Sequence, residues 1–288
     1  MMLVDLHTHS TCSDGSLSPA ELVGYVKKFD VCVMALTDHD TVAGVEAAQQ
    51  AGAEQGVEVL SGVELSIDYP LPGRAHLHLL GLMFDPRHKG LLAALNKLKE
   101  ARDRRAHKIS EKMQQAGWQI DYDDVKKIAG KGSIGRPHLA LVMLDKGYVK
   151  STAQAFKKYL GKGAPFYVPK EKLALQPAID LIHQAGGLAM LAHPVSLGFK
   201  TYPPLGKEIL KYKALGLDGI EAYYSSHDRY FTQWLLDFAK NNGLLVSGGS
   251  DFHGTPKPGI KPGIGYDNLK VPPELLYALK EKWKNKHR

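Results

Sequence analysis

Cysteine is nearly missing. Cys12 and Cys32 are the only two in 288 residues, too few for a disulfide-built secreted fold. No apolar run approaches the roughly 18 to 20 residues that a membrane-spanning helix needs, which argues against a transmembrane role. The opening Met1-Met2-Leu3-Val4-Asp5 lacks the basic and apolar regions of a secretory signal. Internal repeats and low-complexity tracts are missing too, and with 44% hydrophobic and 23% charged residues the chain has too much apolar material for disorder. These absences lead to the expectation of a globular, reduced, cytoplasmic protein forming one large domain, or one domain carrying an insertion.

Charge of both signs is present. Lys and Arg total 37 against 30 Asp and Glu, a net +7, which fits a nucleic acid, a phosphorylated small molecule or simple solubility equally well. Part of the excess is local: Lys280, Lys282, Lys284, Lys286 and Arg288 read as a solvated helix end. Histidine is the unusual count, at 13, and its positions matter more than its number.

Ser18-Pro19-Ala20-Glu21 has the pattern of a capping box with proline at the first helical position. Apolar runs at 31–36 and 57–65, with a helical pattern over 42–55 between them, predict β-α-β-α-β with buried parallel strands. Residues 75–84 add a strand carrying the polar pair His76 and His78. The texture then changes. A long charged amphipathic pattern over 91–113 is followed by short helical pieces at 122–129, 137–146 and 152–159, joined by glycines. After Pro177 the strand and helix alternation resumes and runs to a final helix from Pro273. The expected organisation is an α/β unit made of residues 1–87 and 173–288, interrupted by a helical insertion at 88–172.

The polar residues fall at strand ends. His7 and His9 end the first strand, Asp38-His39 the second and Glu64 the third; His78 lies in the fourth. Later, His193 follows the strand at 188–192, and Asp251 and His253 follow the one at 244–247. In parallel α/β barrels the carboxyl ends of the strands converge on one face, where distant residues meet. Imidazoles and carboxylates suit zinc, manganese or iron, and this set is too large for one ion. His7 and His9 project to the same side of an extended segment and are able to grip one metal together. A single histidine after a strand is more simply a turn residue, but that reading would need the same accident at nearly every strand end.

Asp5-Leu6-His7-Thr8-His9-Ser10 with Ser13-Asp14-Gly15, Leu36-Thr37-Asp38-His39-Asp40-Thr41, Gly62-Val63-Glu64-Leu65-Ser66, His78-Leu79-Leu80-Gly81-Leu82, Ala192-His193-Pro194 and Gly249-Ser250-Asp251-Phe252-His253 together resemble the ordered motifs of the polymerase-and-histidinol-phosphatase (PHP) superfamily. In the insertion, Gly135-Arg136-Pro137-His138, Phe156-Lys157-Lys158-Tyr159-Leu160 and Tyr167-Val168-Pro169 resemble the branch of 3′,5′-nucleoside bisphosphate phosphatases and a related 5′-to-3′ exoribonuclease. The resemblance implies a distorted seven-stranded β/α barrel, similar to a TIM barrel, with two or three divalent ions at the strand ends. Manganese is the expected ion, with iron and zinc also suited. It further implies His7, His9, Glu64 and Asp251 around one ion, Asp14, His39 and His253 around a second, and Glu64, His78 and His193 around a third, with Glu64 bridging.

Such ions polarise phosphoryl oxygens and lower the pKa of bound water, so the expected reaction is in-line attack of a metal-bound hydroxide on phosphorus without a phospho-enzyme. Cys12 is the rival nucleophile, although an incidental thiol is the simpler reading. Asp38 and Asp40 are candidates to orient His39, and Asp40 equally to cap the helix near Val42. His76 should face away from His78 if the strand alternates regularly, which makes it a surface or rim residue rather than a ligand. Lys131, Ser133, Arg136 and His138 lie in a glycine-rich loop leading into a helix, a composition suited to a phosphate. The resemblance makes that loop a clamp for a second, non-reacting phosphate. His227 follows a strand as a supporting residue or a helix-start residue, and Tyr223 or Tyr224 could stack on a base.

The leading expectation is a phosphatase releasing the 3′-phosphate of 3′,5′-bisphosphonucleosides, such as adenosine 3′,5′-bisphosphate. The nearest alternative is a 5′-to-3′ exoribonuclease on short 5′-phosphorylated RNA. A histidinol-phosphatase-like monoesterase and a noncatalytic metal-binding module stand behind both. Neither a membrane nor an obligate protein partner is expected.

Overall fold

The apolar runs become the strands of one sheet in a computed structural model that describes residues 3–70, 75–130 and 133–286. The strands are β1 (Leu3–Thr8), β2 (Val31–Leu36), β3 (Glu58–Asp68), β4 (Leu77–Leu82), β5 (Leu173–Ala174), β6 (Leu188–Leu191), β7 (Gly219–Tyr224) and β8 (Leu245–Gly249). Around them lie α1 (Pro19–Lys27), α2 (Val45–Gln55), α3 (Lys89–Gln115), α4 (Tyr122–Ala129), α5 (Arg136–Asp145), α6 (Thr152–Ala155), α7 (Leu175–Gln184), α8 (Tyr202–Ala214), α9 (Arg229–Asn241) and α10 (Glu274–Lys286). The capping box forms at α1: the Ser18 side chain accepts from the Glu21 N–H while Glu21 accepts from the Ser18 N–H.

The strand order is β1-β2-β3-β4-β6-β7-β8, with β5 at the side of β3. Neighbours run parallel except β4, which is antiparallel to both β3 and β6. Wholly buried strands such as Leu188-Ala189-Met190-Leu191 are what a sheet covered on both faces requires. The sheet curls into a nearly closed barrel. At the seam the Asp251 N–H donates to the His7 carbonyl and the His9 N–H to the Phe252 carbonyl, both at 2.9 Å. Gly249 permits this approach, because a Cβ there would stand 2.4 Å from the His7 Cβ.

The strands β1, β2 and β3 run parallel as expected, whereas β4 is reversed, and the reversal has a use. In a strand running the other way the beginning, not the end, lies at the mouth where the parallel strands finish. His78, beside Ser66 in the β3–β4 register, therefore reaches the same mouth as Glu64. The helical pattern at 152–159 also resolves differently, as α6 followed by a single π-helical turn, Phe156–Leu160. β5 is too short to have left a pattern in the sequence.

Residues from the second half of α3 up to β5 build an apolar core of their own, including Ile109, Met113, Val125, Leu139, Met143, Leu160 and Phe166. α3 runs from one core to the other, since Leu91, Leu95 and Leu98 pack in the barrel's cluster whereas Ala106, Ile109 and Met113 belong to the helical one. Asp40 ties the two together. One of its oxygens accepts from Arg102 of α3 and from Lys170 at 2.6 Å, the other from the Ser66 N–H at 2.8 Å. It neither caps α2, whose N-cap is Gly44, nor bonds to His39. Burial alone would raise the Asp40 pKa, but Lys170 and Arg102 hold it far below the ordinary carboxylate range. Asp40→Ala leaves both cations without their counter-charge, and thermal or urea unfolding should show a loss of about 3–5 kcal/mol.

Candidate metal centre

Each strand end brings its side chain to the mouth for a local reason. β1 is extended, so His7 and His9 share one side. At the end of β2, His39 makes a parallel bridge with Glu64 of β3, fixing the two registers together. His193 after β6 and Asp251 after β8 have φ of 27° and 58°. That left-handed backbone costs a non-glycine residue on the order of 1–3 kcal/mol and is typical of functional sites. Asp14 comes from the loop after β1, where the Gly15 N–H donates to the Ser10 carbonyl.

Glu64 is the centre of the cluster. One carboxylate oxygen lies 2.6 Å from His78 Nδ1 and 2.8 Å from His193 Nε2. The other lies 2.9 Å from His39 Nδ1 and 3.4 Å from Nε2 of both His7 and His9. Asp251 Oδ1 faces the same two rings, 3.6 Å from His7 and 3.2 Å from His9. Asp14 stands 3.3 Å from His253 Nε2 and 3.9 Å from His39 Nε2. Four sets of donors are each close enough to share an ion: His7, His9, Glu64 and Asp251; His9, Asp14, His39 and His253; His39, Glu64 and His78; and His76, His78 and His193.

The residues fit divalent cations on physical grounds. His7 Nε2, both ring nitrogens of His9, His39 Nδ1 and Glu64 Oε2 are buried without a hydrogen-bond partner among the described residues. Buried polar atoms are ordinarily paired, and these converge on one space, as ligand atoms do. Burial pushes the Glu64 pKa upward, but the imidazoles of His39, His78 and His7 outweigh it and hold the carboxylate well below its ordinary range. Burial, reinforced by His253 and His39, pushes His9 well down and so keeps it neutral, the form that binds a metal.

Behind these donors lies a layer the sequence reading missed. Glu221, wholly buried in β7, is 2.9 Å from His7 Nδ1 and accepts the His193 N–H at 2.7 Å. Its only local signal is a lone carboxylate in an apolar strand. Asp5 accepts from the Ser250 N–H and hydroxyl and from the Gly263 N–H, locking the first strand to the last motif. Tyr224 and Lys257 both donate to Asp251 Oδ2, at 2.9 and 2.5 Å, leaving Oδ1 facing the cluster. A carboxylate behind a metal-binding imidazole fixes its tautomer, so Glu221→Gln should weaken metal binding about 10–100-fold, measured by calorimetric titration of metal-depleted protein.

Several expected residues sit elsewhere than at the mouth. Asp38 accepts from the Ser10 N–H and hydroxyl and from the Ser13 hydroxyl; burial raises its pKa to about 6 against those bonds. It shapes the loop carrying Asp14 and does not bond to His39. His227 is buried with Nδ1 on the Ala222 carbonyl at 2.9 Å, and burial pushes it down to about 4. It packs edge-on against Tyr224 and Phe231. Of the two tyrosines, Tyr224 lines the cleft and Tyr223 packs against the barrel core. The Cys12 thiol is raised by burial and by Asp38, the wrong direction for a nucleophile. His76 corrects the alternation argument: β4 begins only at Leu77, and the His76 ring lies 4.9 Å from that of His78.

The mouth opens into a cleft of about 1180 Å³ whose far wall comes from α4, α5 and the π turn. Arg136, His138, Ile128, Leu141, Leu144 and Phe156 line that wall. Arg136 donates to the Leu160 carbonyl at 2.9 Å and spans the Phe156 and Tyr167 rings at 5.6 and 5.8 Å. Arg105 lies close behind, its pKa pushed down to about 10 by burial and by the charge of Arg136. His138 Nδ1 accepts the Gly135 N–H, so it caps α5. Ser133 is buried with its N–H on the Cys12 carbonyl, which joins this loop to the one carrying Asp14. Lys131 falls outside the described residues.

The PHP domain family matches residues 5–165 of the chain. A protein of Haemophilus influenzae named 5′-3′ exoribonuclease is 41% identical over 86% of this chain and 89% of its own length. A protein of Chromobacterium violaceum named 3′,5′-nucleoside bisphosphate phosphatase is 36% identical, over 88% of each chain. A solved Chromobacterium violaceum structure, described as an amidohydrolase with bound sulfate and no metal, superposes with a TM-score of 0.82 at 33% identity, covering 96% of both chains.

Proposed function

Because the chain belongs to the PHP family of phosphoesterases, we propose that it removes the 3′-phosphate from 3′,5′-bisphosphonucleosides such as adenosine 3′,5′-bisphosphate, giving 5′-nucleotides. One observation carries this reading: a single cleft has the unpartnered histidine and carboxylate donors at one side and Arg136, backed by Arg105, at the other. That arrangement offers two separated places for the two phosphates of one substrate. The Chromobacterium violaceum relative bearing that activity in its name favours it further. In this reading residues 1–87 and 173–288 supply the reacting centre, and 88–172 the arm that grips the second phosphate.

His7, His9, Glu64 and Asp251 would hold one ion, Asp14, His39 and His253 a second, and Glu64, His78 and His193 a third, manganese being our choice of ion. Divalent ions there supply Lewis-acid stabilisation of the phosphoryl charge and acidify bound water. The protein's own groups do the positioning. Arg136, already held by the Leu160 carbonyl and the two rings, grips the 5′-phosphate. Tyr224 and Lys257 keep Asp251 turned toward the cluster, and Glu221 does the same for His7. The apolar wall of Ile128, Leu141 and Leu144 keeps water from that side of the nucleoside. Binding energy gained at the remote phosphate is then available to align the reacting one.

A second reading, a 5′-to-3′ exoribonuclease on short RNA, is favoured by the size of the cleft and its exposed apolar side chains, which offer room and apolar contact surface for more than one nucleoside. The Haemophilus influenzae relative carries that name. Both readings place a 5′-phosphate on Arg136 and cut at a 3′-oxygen. Purified protein with manganese should release phosphate from adenosine 3′,5′-bisphosphate faster than it releases nucleotides from 5′-phosphorylated dinucleotides. The opposite ranking would select the second reading, and no turnover of either would reject both.

A further inference from the structure

His76 is not among the donors assigned above, yet it stands with two of them. The nitrogens of His76, His78 and His193 lie within 4.8 Å of one another, and the His76 ring is 4.9 Å from that of His78 and 5.6 Å from that of His193. Three imidazoles on one zinc ion, each about 2.0–2.1 Å from it, have nitrogens no more than about 4.2 Å apart, a difference that ring rotation closes. The placement is built in. The His76 N–H donates to the Ser196 carbonyl at 3.0 Å, the Ser196 hydroxyl donates back to the His76 carbonyl at 3.0 Å, and that hydroxyl also lies 2.9 Å from His193 Nδ1. Ser196 thus staples His76 to the turn of His193 and engages Nδ1 of that ring, leaving Nε2 as its metal donor.

We propose that His76, His78 and His193 form an all-imidazole position at the rim of the cleft for a late first-row divalent ion of the zinc class, separate from the position in which Glu64 joins His78 and His193. The chemistry differs from that of the buried positions. Three neutral nitrogens without a carboxylate favour zinc, nickel or copper over manganese, which prefers oxygen. His76 is exposed whereas His7, His9 and Glu64 are buried, so the rim ion exchanges with solvent while the inner ones stay. His78 and His193 are shared by the two arrangements. An ion at the rim draws both rings from Glu64 Oε1, so zinc and manganese compete for the form of the centre.

The inference rests on reading the mouth as a metal centre, and the test separates the two. Metal-depleted full-length protein and its His76→Ala variant are titrated with Zn²⁺ and with Mn²⁺ by calorimetry, and with Co²⁺ by visible absorption. The variant should bind the last Zn²⁺ equivalent about tenfold or more weakly and show an altered Co²⁺ spectrum, with Mn²⁺ binding unchanged. Superimposable Zn²⁺ isotherms and Co²⁺ spectra would overturn the rim position while leaving the inner centre standing. Binding of no ion by either protein would overturn the reading of the mouth itself.

Discussion

Glu64→Gln should reduce phosphate release about 10³-fold or more while the protein stays folded. The carboxylate lies within reach of five imidazoles, two on one oxygen and three on the other. An amide keeps the shape but removes the anion and turns one acceptor into a donor aimed at ring nitrogens that must face a cation. Ions held there would lose the charge that gathers them. Stabilisation of phosphoryl charge by metal is worth several kcal/mol, and about 1.4 kcal/mol corresponds to each factor of ten. Elemental analysis of the purified variant should show fewer ions per chain, with unchanged circular dichroism. A variant with a full complement of ions and near-normal turnover would remove Glu64 from the centre.

Arg136→Ala should be selective where Glu64→Gln is general. A charge-assisted bond to phosphate contributes about 1.5–3 kcal/mol, so kcat/KM for adenosine 3′,5′-bisphosphate should fall about 10- to 150-fold. A plain monoester such as p-nitrophenyl phosphate lacks the second phosphate and should change by less than about threefold. The selectivity follows from the support of the side chain: its bond to Leu160 and the flanking Phe156 and Tyr167 orient the guanidinium before substrate arrives, so little ordering remains to be done on binding. Lysine presents a point charge without the planar fork and should restore the rate only in part. Equal losses on both substrates would place Arg136 in the general architecture and end the clamp proposal.

The sequence exposed those parts of the molecule whose cause is local. An apolar run bounded by polar residues specifies β2, a capping box starts α1, and donors repeated at strand ends announce a shared face. What stayed hidden depends on partners far along the chain. Glu221 is one carboxylate in a strand until His7 and His193 are placed beside it. Asp40 reads equally as a helix cap or a partner of His39 until Arg102 and Lys170 arrive from other elements. The direction of β4 leaves no trace in its own composition, since an apolar strand satisfies a parallel or an antiparallel neighbour alike. His76 lies exposed at the rim of the cleft, yet its ring stands beside that of His78, because the alternation rule holds only within a strand and β4 starts one residue later.

The seam between β1 and β8 sets the order in which the centre can be assembled. Ser250 and Asp5, which lock that seam, are 245 residues apart, and Asp251 and His253 follow directly. A chain emerging from the ribosome presents His7 and His9 long before Asp251 and His253, which complete their sets, exist. In the proposed centre, capture of an ion by His7 or His9 together with Asp251 or His253 would be a late event, after the last strand has closed the barrel, and such an ion would act as a fastener across almost the full contour of the polypeptide. An ion that only the closed barrel can capture stabilises the folded chain and not the unfolded one. Withdrawal of metal by a chelator should accordingly speed unfolding of the whole barrel rather than loosen one loop.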